Sequence, residues 1–239
     1  MTTRSASVGT WPLVTARIAG LLYLLVVPLG IFAIYVPSRL IVSGDAARTA
    51  SNLMASELLF RLTIVSDLTS PLVLILVVLF LYQLLKPVHK NMASLMVIFL
   101  ILGVPIALLS KLNQFAALQL LSSADYLTVF TTDQLQALAY LFLRLHDWGG
   151  TLAFIFWGLW LLPLGYLVFK SGFFPRILGA LLIMSGFGYV IDSFATVLGY
   201  GMNIGLLTAW GEILFILWLL IKGVNAEEWQ RRALEAASA

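Results

Sequence analysis

Four acidic side chains and one lysine stand inside stretches that otherwise read as lipid-soluble helix: Asp67, Asp192, Glu212, Lys111 and the carboxylate of the pair His146-Asp147. Arg61, Arg144 and Gln114 lie close to them along the chain. Charge in the middle of a membrane helix costs several kcal/mol unless it is paired or faces a wet cavity, so each such residue is a candidate for binding or for structure. Three kinds of chemistry suit these residue types. Opposed carboxylates and a lysine can hold a small solute or ion. His146 with Asp67, Asp192 and Glu212 can ligate a divalent metal that activates water. His146 with Ser66, Ser110 or Ser193 can serve as a base and nucleophile pair. The metal reading is thin in ligands, because His89, the other histidine, falls in a connecting loop and no HExxH pair exists. The hydrolase reading lacks a GxSxG turn to prepare the serine.

The residues also share spacing. Thr63, Ser66, Asp67 and Ser70 follow at i, i+3, i+4 and i+7. Ser110, Lys111 and Gln114 cluster, Ser185, Tyr189, Asp192, Ser193 and Thr196 fall together, and Thr208 and Glu212 are one turn apart. Such spacings put each set on one helix face. In lipid, polar faces turn inward. The expected arrangement is a single polar cleft in which Lys111 is neutralised by some of Asp67, Asp192 and Glu212, with Arg61, Arg144, His146, Asp147 and Gln114 around it. A closed ion-pair network holding helix register is the competing explanation.

The elements that position these residues follow from composition. The chain of 239 residues is 61% hydrophobic and 10% charged, against about 25% charged in soluble domains. It has no cysteine, which removes disulfides and thiolate sites. Six apolar runs approach or exceed the ~20 residues that cross a bilayer core as helix. They extend near Trp11–Tyr35, Leu58–Leu85, Met92–Leu120, Leu145–Phe169, Arg176–Leu198 and Ile204–Ile221. The expected fold is an all-α polytopic membrane bundle of six transmembrane helices in one domain, with short interfacial helices. The first run is longer than a signal-peptide core and reads as a retained span. Ser43 or Asp45 is expected to cap one interfacial helix, and Thr132 another, which feeds into the fourth span near Gly149-Gly150. Pro71, Pro105 and Pro163 fall inside spans and can kink them.

Lysine and arginine set the expected orientation. With the N-terminus inside, Arg4, Arg17, Lys86, Lys90, Lys170, Arg176, Lys222, Arg231 and Arg232 are inner, and Arg39, Arg48, Arg61, Lys111 and Arg144 are outer. That asymmetry favours two cytoplasmic termini in a plasma membrane. Tyr82-x-x-x-Lys86, Tyr166-x-x-x-Lys170 and Trp218-x-x-x-Lys222 each place an aromatic one turn before a snorkelling lysine, as at a membrane interface. On this reading all the candidate charges lie in the outer half. The segment Asn225–Glu235 reads as a solvated helix with i, i+4 pairs.

Several segments occur in a fixed order: "ARIAGLLYLL", "SGDAARTASNL", "LFR", "QLQALAYLFLRLHDWG", "LGYLVFKSGFFPRILG", "GYVIDSFA" and "GE" followed by "LWLLIKGV". In this the chain resembles the bacterial multi-pass family catalogued as domain of unknown function 4386, from about Ala16 to Val224. The resemblance implies an integral membrane protein and no catalytic activity. Arg61, His146, Asp192 and Glu212 lie in or beside the resembling segments; Lys111 does not.

The favoured function is binding or transport of a small solute or ion. A non-catalytic sensor or assembly subunit, with the charges as glue, and a metal-assisted intramembrane hydrolase are the alternatives. Partners are the lipid bilayer and a small solute or lipid ligand. No nucleic-acid role and no cofactor are expected.

Overall fold

A computed structural model describes residues 10–122, 124–201 and 204–238. The protein is all-α. Its helices are α1 (Trp11–Leu40), α2 (Ala46–Ala55), α3 (Glu57–Leu85), α4 (Lys90–Leu120), α5 (Thr132–Ser171), α6 (Arg176–Val197), α7 (Ile204–Thr208), α8 (Trp210–Ile221) and α9 (Ala226–Ser238). A single 3-10 turn, Asp125–Leu127, lies between α4 and α5. Among the described residues, six helical stretches are long and apolar enough to cross a membrane, α7 and α8 together making the sixth. Their outward faces carry exposed large apolar side chains, such as Leu21, Ile34, Leu112 and Met184, as suits contact with lipid.

The helices start and stop where local chemistry dictates. Asp45 accepts a hydrogen bond from the Arg48 N–H at 2.8 Å and caps α2. Thr131, not Thr132, opens α5: its hydroxyl accepts from Gln134 N–H while Gln134 Oε1 accepts from Thr131 N–H, a reciprocal capping box. At the far end of α6, Gly199 adopts φ +84°. Gly199 N–H then donates to Thr196 and Tyr200 N–H to Ala195. This is the Schellman ending that glycine permits.

One expectation is overturned. There is no separate interfacial helix before span four, and Gly149-Gly150 is no junction. α5 is one unbroken 40-residue helix. Its glycine at 149 serves packing, because a Cβ there would collide with the Ser110 side chain on α4. Helices also run through Pro71, Pro105 and Pro163, and through Pro28 and Pro37 in α1. The broken span is the sixth, between Thr208 and Trp210.

The chain divides into two compact units. One takes the chain up to Leu24, Leu74–Ile101 and everything from Phe154 onward. In it α5 and α6 pack backbone against backbone. A Cβ on Gly158 would lie 2.7 Å from the Gly186 carbonyl oxygen, and one on Gly165 2.7 Å from that of Gly179. The two glycine pairs repeat at seven residues in opposite chain directions, so the helices run antiparallel with backbones in contact. Membrane helices gain association energy from such contact, because lipid supplies no hydrophobic drive between them. Gly20 brings α1 against Leu219 and Leu220 of α8, and Gly211 brings α8 against the Leu181 carbonyl and Ser185. Trp229 of α9 stacks on Trp11 at 5.2 Å and donates its Nε1–H to the Leu84 carbonyl at 2.8 Å.

The other unit comprises Leu25–Val73 and Leu102–Ala153. Its core is Leu53, Phe60, Ile64, Ala117, Leu118, Ala139 and Leu143. These come from α2, α3, α4 and α5. Asn52 ties α2 to the end of α1 by donating to the Leu40 carbonyl at 3.0 Å, and Tyr140 accepts from Gly44 N–H at 3.0 Å.

Candidate functional site

In the second unit, the polar stripes of α3 and α4 are buried. Thr63, Ser66 and Ser70 line α3, and Ser110, Lys111 and Gln114 line α4. Lys111 is 4% exposed, and its Nζ lies 2.5 Å from Asp67 Oδ2. The i, i+4 geometry that places Asp67 beside Thr63 also aims it at the neighbouring helix, where Lys111 has no water to turn to. His146 of α5 completes the group. Its Nδ1 is 3.3 Å from the Ser110 carbonyl and its Nε2 is 3.8 Å from Asp67 Oδ2. A carbonyl only accepts, so Nδ1 carries a hydrogen. Nε2 is too far from Asp67 for a direct hydrogen bond. The close approach of Gly149 to Ser110, one turn along α5, sets the ring at this position.

Gln114 lies one turn beyond Lys111 on the same face of α4 and is 2% exposed. Its Oε1 is buried with no hydrogen-bond partner. Buried amide oxygens are nearly always satisfied, and an orphan costs about 1–3 kcal/mol.

Other candidate residues are engaged elsewhere. Arg61 pairs with Glu57 at 2.7 Å and Arg144 with Asp147 at 3.1 Å. Both pairs lie one turn apart on a single helix and are about half exposed. Asp192 and Glu212 belong to the first unit, and each has partners there. Asp192 on α6 accepts from Ile204 N–H at 2.9 Å and Gly205 N–H at 2.6 Å, so it holds the start of α7. Glu212 accepts from the Tyr23 hydroxyl at Oε2 and from the Tyr189 hydroxyl at Oε1, the latter at 2.5 Å. Within the second unit, Asp67 is the carboxylate that pairs with Lys111.

Of the metal set, His146 and Asp67 lie in the second unit and Asp192 and Glu212 in the first. Among the described residues no three His, Cys, Asp or Glu side chains are placed to hold a metal ion. The candidate serines each donate to a backbone carbonyl: Ser66 to Leu29, Ser110 to Ala107 and Ser193 to Tyr189. Ser110 meets the His146 ring through its backbone carbonyl, not its hydroxyl.

Tyr23 is the residue that sequence reasoning missed. The signal was present, since a tyrosine in the apolar run "AGLLYLLVV" has a hydroxyl that lipid cannot satisfy.

The chain belongs to the family described as Domain of unknown function (DUF4386), which it matches over residues 18–223. It is 35% identical over 153 residues to an uncharacterized protein of Archaeoglobus fulgidus, a match covering 62% of this chain and 75% of the relative. That relative is archaeal, so a bacterial source does not follow from it. No solved structure matches.

Proposed function

We propose that the protein binds a small polar solute or ion, and carries it across its membrane, at the Asp67–Lys111–His146–Gln114 cluster. The observation that supports this reading is the orphaned Gln114 oxygen, one turn from a buried ion pair. The acceptor needs a donor, and a ligand with an N–H or O–H would supply it. His146 Nε2 and the 3.8 Å gap to Asp67 offer a second place for a donated hydrogen. The pair itself is formally neutral, so a neutral or zwitterionic solute can enter without bringing unbalanced charge into the span.

The excess of basic residues at Lys86, Lys90, Lys170, Arg176 and Lys222 supports a plasma-membrane location with both termini in the cytoplasm. A second reading has one observation in its favour. Asp67 and Lys111 already satisfy each other at 2.5 Å, as a purely structural lock in a sensor or assembly subunit would.

Native mass spectrometry of the detergent-purified protein separates the two, run on wild type and Gln114→Leu and with a panel of small amines, polyols and amino acids. Binding predicts a retained or added small polar molecule that Gln114→Leu loses while staying folded. A wild type that holds nothing from the panel, with Gln114→Leu equally stable, would sink the binding reading.

A further inference from the structure

Glu212 in the first unit has a different kind of environment. It stands on the first turn of α8, just after the break in the sixth span. Two phenols from two other helices reach it: Tyr23 of α1 donates to one carboxylate oxygen and Tyr189 of α6 to the other. Both tyrosines are themselves fixed. Tyr23 packs on the buried Trp160 at 6.0 Å and Tyr189 against Phe154 at 5.8 Å. Among the described residues no lysine, arginine or histidine forms an ion pair with Glu212. The other acid nearby on α6, Asp192, is committed to the Ile204 and Gly205 N–H groups.

The hydrogen inventory limits what this site can do. Two phenols carry two hydrogens, and both point at the carboxylate. That arrangement spreads the negative charge of Glu212 over charge-assisted bonds but does not cancel it. A net charge held in a membrane span without a counter-ion costs several kcal/mol. The smallest cation that cancels it is a proton. Adding one to a carboxylate oxygen makes that oxygen a donor, and the facing phenol must turn its own O–H away and accept. A phenol can do either, whereas a lysine or arginine in its place could only donate. Tyrosines on both oxygens thus leave the site able to hold either charge state without moving a helix.

We propose that Glu212, clasped by Tyr23 and Tyr189, is a proton-binding site of this membrane domain. Taking a proton from water, the carboxylate becomes a neutral acid and one phenol changes from donor to acceptor; release reverses both. The inference stands apart from the solute reading at Asp67 and can fail without it.

Infrared difference spectroscopy on the full-length protein in lipid nanodiscs, recorded across a pH change in H2O and D2O, tests it. The expected result is a carboxylic C=O band that grows on acidification, shifts down in D2O and is lost in Glu212→Gln. The band should move to higher frequency in Tyr23→Phe and Tyr189→Phe, each of which removes one hydrogen bond. If Glu212→Gln does not fold, the two phenylalanine variants carry the test, and an unmoved band in both overturns the proposal. Wild-type spectra without such a band, down to the acid limit of folding, overturn it too. A band that responds to sodium chloride at constant pH, and not to acid, would make this a sodium site and equally overturn it.

Discussion

Replacing Asp67 by asparagine removes the carboxylate from Lys111 while keeping side-chain volume. The size of the effect depends on which class of ion pair this is. Exposed pairs are worth about 0–1 kcal/mol. Removing one partner of a buried pair costs about 3–5 kcal/mol, because the remaining charge has no water. The Lys111 side chain is 6% exposed and that of Asp67 21%, with the nitrogen and oxygen 2.5 Å apart. The buried class therefore applies. For a chain of this size each kcal/mol shifts the melting temperature by about 2–4 °C, so Asp67→Asn or Lys111→Met should lower it by about 6–20 °C. The double variant Asp67→Leu/Lys111→Met removes both charges and should regain most of the loss. The four corners of the cycle are measured by thermal unfolding, followed by helical circular dichroism in one detergent. Single losses below about 1 kcal/mol that simply add in the double variant would refute the reasoning. The pair would then be solvated, and a solute site built around it would have no dry wall.

Four further outcomes are expected. Gly165→Ala and Gly186→Ala should each destabilise by about 1–3 kcal/mol in the same melting assay, since the added methyl overlaps a facing carbonyl that cannot yield. Gly30→Ala, which meets nothing within 4 Å, should instead stabilise by about 0.5–1 kcal/mol through helix propensity. Asp192→Ala should cost about 2 kcal/mol by freeing two backbone donors at the start of α7, read as faster hydrogen exchange at Ile204 and Gly205. In α9, hydrogen bonding to Arg231 holds the Glu228 carboxyl below its usual value. A lowered acid contributes above its unfolded pKa and loses that contribution as pH falls through the folded one. Trp229 fluorescence should therefore report loosening of α9 in acid, and Glu228→Gln should flatten that change.

Span number and polar facing were legible because each depends on one helix at a time. Hydropathy over about 20 residues gives a span, and the i, i+3, i+4 spacing of Thr63, Ser66, Asp67 and Ser70 gives a face. Which faces meet was not legible. Depth along a helix follows from rise per residue, but rotation about the axis and the identity of the neighbour come from packing. Asp67, Asp192 and Glu212 were assigned to one cleft from shared depth and polar stripes. Packing gave Asp67 a lysine, Asp192 two backbone amides and Glu212 two phenols. Gly149-Gly150 misled for a related reason. A glycine pair weakens a helix in water, but here the missing side chain at Gly149 admits Ser110 of α4. The cap at α5 was misplaced by one residue because Thr131 and Thr132 are equally competent, and only the reciprocal bond from Gln134 distinguishes them.

Asp67 and Glu212 are both carboxylates in apolar helices, yet their partners imply different roles. The Lys111 ammonium at 2.5 Å balances the charge of Asp67. A pair of opposite charges held this closely suits a fixed wall against which a polar solute can be held. Phenols stabilise the charge of Glu212 without cancelling it, and they tolerate its loss. The same carboxyl group is locked in one unit and switchable in the other, and the distinction rests on whether its partner can accept a hydrogen bond. Exchanging the partners makes this concrete. A lysine in place of Tyr189 should fix Glu212 in its charged form and abolish any acid-dependent carboxyl signal, whereas Tyr189→Phe should leave a signal shifted in frequency.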